Sequence, residues 1–406
     1  MRTLAVLAIL GALAICTTAQ DAPSTVDMTQ YGGSGQELLA VTAESLELKV
    51  TSPLISEDDL SGPCWIISRG TPRANVSELL SVALGCPVAI DEATNRLLVS
   101  LPQASAPTGT VKGYDVSVLA GRFVEYVNSY GQTRAKPGPG ENAGREQTAA
   151  QHLADLLSDL LFESRGALFD PSVVGDRVLV TADVRSHARV REALDLLMSE
   201  AGGESAAMKD ERAVADKLKQ AKFSGELEGT PVASVIAAIC DAAGVGMVLA
   251  PVFAESAGDS HIDFSVEEEI TAWQAVELLF HRLEEEDWSF DFTSRCGAVV
   301  IENTAHDIHI GYRVYDVGGL LKKLNASYQR QKTAPGKADG FEGDLRDAGG
   351  VDVIVDALET QLEASDRAFG ADVYAYAGRV VVRGGHRAVD AATSILEEMG
   401  WEPPKD

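Results

Sequence analysis

The sequence predicts an α+β protein of tandem small α/β modules, each of strand-helix-strand-strand-helix type, internally duplicated along the chain. Three observations carry this. Short extended runs alternate with segments of helical apolar spacing, as in "KFSGELEGTPVASVIAAICDAAGVGMVLA". Glycine and proline punctuate the boundaries between them. Several landmarks also recur about 200 residues apart: Tyr114-Asp115-Val116 and Tyr315-Asp316-Val317 are separated by 201 positions.

The clearest stretch is residues 221–302. Phe223 and Leu227 lie in a short strand. Thr230 is expected at an N-cap, with Pro231 at the first helical position, where a missing N–H costs nothing. Val232, Val235, Ile236 and Ile239 give that helix one apolar face, and Gly244 ends it. "VGMVLA" reads as a buried strand and "HIDFSV" as an alternating one. Thr271 and Gln274 make a capping-box pattern ahead of Trp273, Val276, Leu279, Phe280 and Leu283. "WSFDF", a turn at 294–297 and "AVVIE" close with a hairpin.

This stretch, with its polar-turn-proline helix start, "GVGMVLAP", "ITAWQAVELLF" and "CGAVVIEN", resembles the secretin and TonB short N-terminal domain. That family is a small envelope module that opens secretin channels and some TonB-dependent receptors. The resemblance implies assembly or docking rather than catalysis, and assigns residues 220–303 to such a domain.

Residues 44–101 read as a shortened, degenerate copy, with "TPRANVSELL" parallel to "TAWQAVELLF" and "RLLVSL" parallel to "AVVIEN". Residues 20–43, rich in Gly, Ser and Thr, are expected to be a linker. A second module type spans 110–200 and again 309–400. Each copy has a strand, a helix, a Gly/Pro/Lys/Arg-rich loop, another helix, a hairpin ending in "DRVLVTA" or "GRVVVRG", and a final helix opened by His187 or His386. These copies resemble the ring-building repeats of secretin N-terminal regions, although no pore-forming C-terminal domain follows, so channel activity is not implied. Residues 201–219 are expected to be a linker running into a helix, and 401–406 a tail.

Composition narrows the function classes. Met1-Arg2, a run of apolar residues and small residues up to Ala19 predict a secretory signal over 1–19, and hence an exported, periplasmic or envelope-associated protein. Its removal leaves the chain one charge more negative than its overall −27. Such a balance repels nucleic acid and anionic lipid as a whole. No later stretch approaches 18 apolar residues, so no transmembrane segment is expected after cleavage. Cys64, Cys86, Cys240 and Cys296 remain, and an exported context permits two disulfides; Cys64 with Cys86 and Cys240 with Cys296 are the candidate pairs, with four free thiols the alternative.

No catalytic motif, cofactor or metal site is predicted. His306 and His309 are the only local histidine pair, and on a strand they point to opposite faces. "GPGENAG" at 138–144 lacks the spacing and the Lys-Ser/Thr partner of a phosphate loop. The candidate binding features are therefore docking features. Arg134, Lys136 and Arg145 in one loop, and Arg330, Lys332 and Lys337 in the other, place positive charge on an acidic protein, although solvated loop charge is the simpler reading. Strands at 223–227 and 298–301, marked by Phe223, Leu227 and Val300, are the expected sheet edges for strand addition. The expected partners are envelope proteins, among them a secretion or pilus apparatus, or a second copy of the chain. An exported enzyme with an unfamiliar site and a structural envelope accessory are the alternatives.

Overall fold

The computed structural model describes residues 25–51, 60–91, 94–99, 110–130, 148–161, 169–182, 184–284, 290–303, 311–333, 350–364 and 371–403. The first half runs β1 (Thr25–Ser34), α1 (Gly35–Ser45), β2 (Lys49–Thr51), β3 (Pro63–Pro72), α2 (Arg73–Leu84), β4 (Val88–Asp91) and β5 (Arg96–Val99). It continues with β6 (Thr110–Asp115), α3 (Ser117–Tyr130), α4 (Ala149–Leu161), β7 (Asp170–Val174), β8 (Arg177–Ala182) and α5 (Val184–Met198). A short strand, β9 (Gly203–Glu204), and helix α6 (Ala206–Gln220) lead into the second half. There follow β10 (Lys222–Pro231), α7 (Val232–Ala243), β11 (Gly246–Leu249), α8 (Pro251–Asp259), β12 (His261–Thr271), α9 (Ala272–Glu284), β13 (Phe290–Arg295) and β14 (Ala298–Asn303). The chain then forms β15 (Tyr312–Asp316), α10 (Gly318–Thr333), α11 (Asp352–Glu363), β16 (Asp372–Tyr376), β17 (Arg379–Arg383) and α12 (His386–Glu398). The protein is α+β.

The strand pairing occurs twice. Antiparallel β1–β3 is repeated as β10–β12. The β2–β5–β4 sheet, parallel then antiparallel, is repeated as β11–β14–β13. The antiparallel β6–β8–β7 sheet is repeated as β15–β17–β16.

Residues 25–43 are not a linker. Val26 and Met28 alternate into the core, while Ser34 accepts from the Glu37 N–H and Glu37 accepts from the Ser34 N–H. The first half therefore carries a strand and a helix that complete its module, which is neither shortened nor confined to 44–101. Two local expectations also shift. Pro231, not Thr230, is the N-cap of α7, and no side chain caps it. The segment after β11 forms α8, opened by Pro251, which the strand pattern did not anticipate. The Thr271–Gln274 capping box is present in both directions. Gly85 and Gly244 both end their helices in the left-handed region, where a side chain is disfavoured.

Each half has a core of its own, and β11 and β14 add Val248, Ala298 and Val300, with Ala250 just after β11, to the first-half core. In the second, α7 and α9 lie between the β10–β12 ribbon and the β11–β14–β13 sheet, packing Phe223, Ile236, Ile239, Phe264, Leu279 and Ile301. In the first, α1 and α2 pack Leu38, Ile66, Leu79, Leu80 and Leu97. Helix α6 docks on the second core through Val214, Ala215 and Leu218.

Candidate interaction edges

The two halves dock on each other through strand β3. Its outer edge pairs antiparallel with β11, setting Ile67 opposite Met247, Ile66 opposite Val248 and Trp65 opposite Leu249. One five-stranded sheet, in the order β1-β3-β11-β14-β13, thus crosses both halves. Successive residues of a strand point to opposite faces. Ile67 and Trp65 accordingly join the second-half core, while Ile66 stays in the first. Arg69 closes the seam with an ion pair to Asp241 of α7, at 2.9 Å.

The later modules dock the same way round. The outer face of the β15–β17–β16 sheet, with Tyr312, Val314, Tyr376 and Val381, is buried against Phe123, Leu153, Leu156 and Leu160 of α3 and α4. Tyr126 Oη accepts from the Val351 N–H at 2.6 Å, Tyr376 Oη donates to the Ala149 carbonyl at 3.3 Å, and Arg383 Nη1 donates to the Asp159 carbonyl at 3.0 Å. Burial pushes the Tyr126 hydroxyl up to about 12, so it is a neutral hydrogen-bonding group at ordinary pH.

Charge is buried where the four modules meet. Arg189 of α5 lies 3.9 Å from Glu78 of α2, and the Cys296 thiol donates to Glu78 Oε2 at 3.1 Å. Asp210 of α6 accepts from the Gly297 N–H at 3.0 Å. Desolvation raises the Asp210 carboxyl pKa against the opposing effect of the Gly297 and Cys296 backbone N–H groups, and lowers that of the Arg189 guanidinium. Arg295 and Glu302 pair at 3.0 Å. His386, buried at the start of α12, donates its backbone N–H to Glu211 at 2.7 Å, with Nδ1 3.0 Å from the same carboxylate. Lys219 Nζ stands 3.4 Å from its Nε2. His187 does not open its helix as expected, since α5 begins at Val184; it lies within the first turn, with Nε2 2.8 Å from the Thr110 carbonyl and Nδ1 2.9 Å from Tyr114 Oη. Both histidines serve packing and hydrogen bonding.

The sequence-predicted site residues fall differently. Val300 is fully buried, and β14 has β11 on one side and β13 on the other, so 298–301 is no edge. The parallel partner carries no local sequence signal, because β11 and β14 are joined by a long crossover. Strand β10 does have an unpaired side among the described residues, but the Phe223 side chain is buried in the core and Leu227 packs partly against it. Arg330 and Lys332 belong to α10 rather than a loop, since that helix runs on to Thr333. Arg134, Lys136, Arg145 and Lys337, with His306 and His309, the "GPGENAG" stretch, residues 1–19 and the last three residues of the tail, lie outside the described residues.

Cys64, Cys86, Cys240 and Cys296 are all thiols. Cys64 and Cys86 share the first-half core, while Cys240 is buried in the second and Cys296 packs against the first, which separates that second candidate pair. Burial, then the neighbouring Cys86, pushes the Cys64 thiol up to about 11, and burial takes Cys240 to about 12. Among the described residues no group of His, Cys, Asp and Glu is arranged to hold a metal ion, and no helix is long and apolar enough to cross a membrane.

Sequence reasoning missed the pairing of β3, whose partner β1 lies in the segment expected to be a linker, and the open side of β2, which pairs only with β5 among the described residues. The Ser34–Glu37 capping box was the signal available for that segment. No family model matches the chain, and no curated protein or solved structure matches it.

Proposed function

We propose that this protein is a non-enzymatic, exported cell-envelope protein that acts by docking: an interaction and assembly module related to secretin N-terminal regions. One observation carries the reading. The same pair of modules occurs twice, and the first copy seats on the second through a strand edge (β3 on β11) and a helix face (α3 and α4 on the β15–β17–β16 sheet). Modules that bury sheet edges and sheet faces on their neighbours are built for association. The resemblance of residues 220–303 to the secretin and TonB short N-terminal domain supports the same class, and points to a secretion or pilus apparatus or another envelope assembly as partner.

The test is crosslinking of the mature protein in envelope extracts, followed by mass analysis of what is joined to it. Reproducible recovery of secretion or pilus components supports the reading. A chain that joins nothing reproducibly, yet turns over a small-molecule substrate, contradicts it.

A further inference from the structure

The contact between the halves is one-sided. Strand β3 of the first half meets β11 of the second, but their counterparts, β12 and β2, do not meet: among the described residues β12 pairs only with β10, and β2 only with β5. A head-to-tail contact of this kind always leaves one acceptor end and one donor end open. Here the two open ends are unlike.

The acceptor end, on the first half, keeps apolar residues in solvent. Glu47 and Gly244 are the left-handed residues that follow α1 and α7, so Val50 occupies the place of Met247. Val111 occupies the place of Tyr312, and Val174 that of Tyr376. Met247, Tyr312 and Tyr376 are 0–2% exposed beneath the first half, whereas Val50, Val111 and Val174 are 40%, 64% and 62% exposed. Glu44, exposed on α1, stands where Asp241 receives Arg69.

The donor end, on the second half, is closed to strand addition. Counting from the start of each strand, Asp263 replaces Trp65, Ser265 replaces Ile67 and Glu267 replaces Arg69, all three exposed. Arg282 Nη1 also donates to the Asp263 carbonyl at 2.9 Å, occupying a backbone acceptor on β12. A second copy offering β12 to β2 would bring Glu267 toward Glu44 and no bulky apolar side chain to Val50.

We infer that the β2 edge is an acceptor for an antiparallel strand of a different protein, one with bulky apolar side chains at alternate positions and a basic residue two places further on. That pattern is the Trp65-x-Ile67-x-Arg69 of β3, which fills the equivalent edge inside the chain. Main-chain hydrogen bonds to β2 supply affinity, Val50 and its surroundings receive the apolar side chains, and Glu44 reads the basic one. This assignment rests on the docking function proposed above and names its surface and the chemistry of its partner.

The probe is a labelled peptide of residues 61–72 with Cys64→Ser, titrated into the full chain and followed by anisotropy, with hydrogen exchange locating the site. A control peptide carries Trp65→Asp, Ile67→Ser and Arg69→Glu. The expected result is saturable binding of the first peptide only, with new protection at residues 49–51. Glu44→Lys, at an exposed helix position, weakens it about fivefold, and Val50→Asp abolishes saturation in a chain of unchanged circular dichroism. Binding that ignores both variants, equal binding of the control, protection at β12 instead, or no saturation at about millimolar peptide overturns the assignment. So does concentration-dependent self-association of the full chain that Val50→Asp removes, since the occupant is then a second copy. Envelope partners captured without peptide binding would refute only the β2 surface. Peptide binding without any envelope partner would instead refute the proposed function.

Discussion

Ile67 and Met247 face each other across an antiparallel strand pair, buried to 1% and 0% exposure, and this pairing joins the two halves of the chain. Ile67 belongs by sequence to the first half and by packing to the core of the second.

Ile67→Ala therefore destabilises the second half rather than the first. A buried large-to-small change of this kind costs about 2–5 kcal/mol. Urea unfolding of a chain in which Trp273, in the second-half core, is the only tryptophan, with and without Ile67→Ala, checks this. The expected outcome is an earlier transition at that tryptophan.

Arg69 and Asp241 make the seam's charged pair, but both side chains are about half exposed, at 59% and 43%. Their coupling in a double-mutant cycle is accordingly about 0.2–1 kcal/mol, and 1 M salt removes most of it. Exchanging the charges, Arg69→Asp with Asp241→Arg, restores stability lost by either single reversal.

The buried thiols set an alkaline limit. Cys64 and Cys240 titrate at about 11 and about 12 in the fold, against 9.0 for an ordinary thiol. Between pH 9 and those values the unfolded chain has lost a proton that the folded chain keeps, so stability falls as pH rises. Denaturant midpoints measured from pH 8 to 11 should decline, and Cys240→Ala should flatten part of the decline. Below about pH 8 neither thiol contributes an appreciable slope.

Asp210 gives the opposite experiment at low pH. Desolvation raises its folded pKa above 3.8, so the ionised carboxylate costs the fold stability at neutral pH and ceases to do so once protonated. Asp210→Asn keeps an acceptor for the Gly297 N–H. Its stability relative to the parent chain is expected to rise at pH 7, and the gain to vanish below pH 4.

Much of this fold was legible in local chemistry. The capping box of Thr271 and Gln274, the left-handed glycines 85 and 244, and the Tyr-Asp-Val landmarks each mark an element boundary by its own hydrogen bonds or backbone geometry. What escaped was non-local or disguised. Strand β1 ends in Gly32, Gly33 and Ser34, which read as linker composition although Val26 and Met28 alternate inward. The interior position of Val300 follows from a parallel partner some fifty residues away, and no local pattern announces it. The seam itself could not be read, because Trp65 and Ile67 match any buried strand until β11 is placed beside them. The loop arginines and lysines belong to segments whose placement lies outside the described residues.

Site-specific photo-crosslinking of the full chain in envelope extracts tests the docking account most directly. A photo-reactive amino acid at Val50 should link one reproducible protein through a strand with alternating bulky apolar residues and a following basic residue. Glu44→Lys should weaken that link, and the same group at Ser265 should give none. Links of equal yield from Val50 and Ser265, or none from either, would contradict the account.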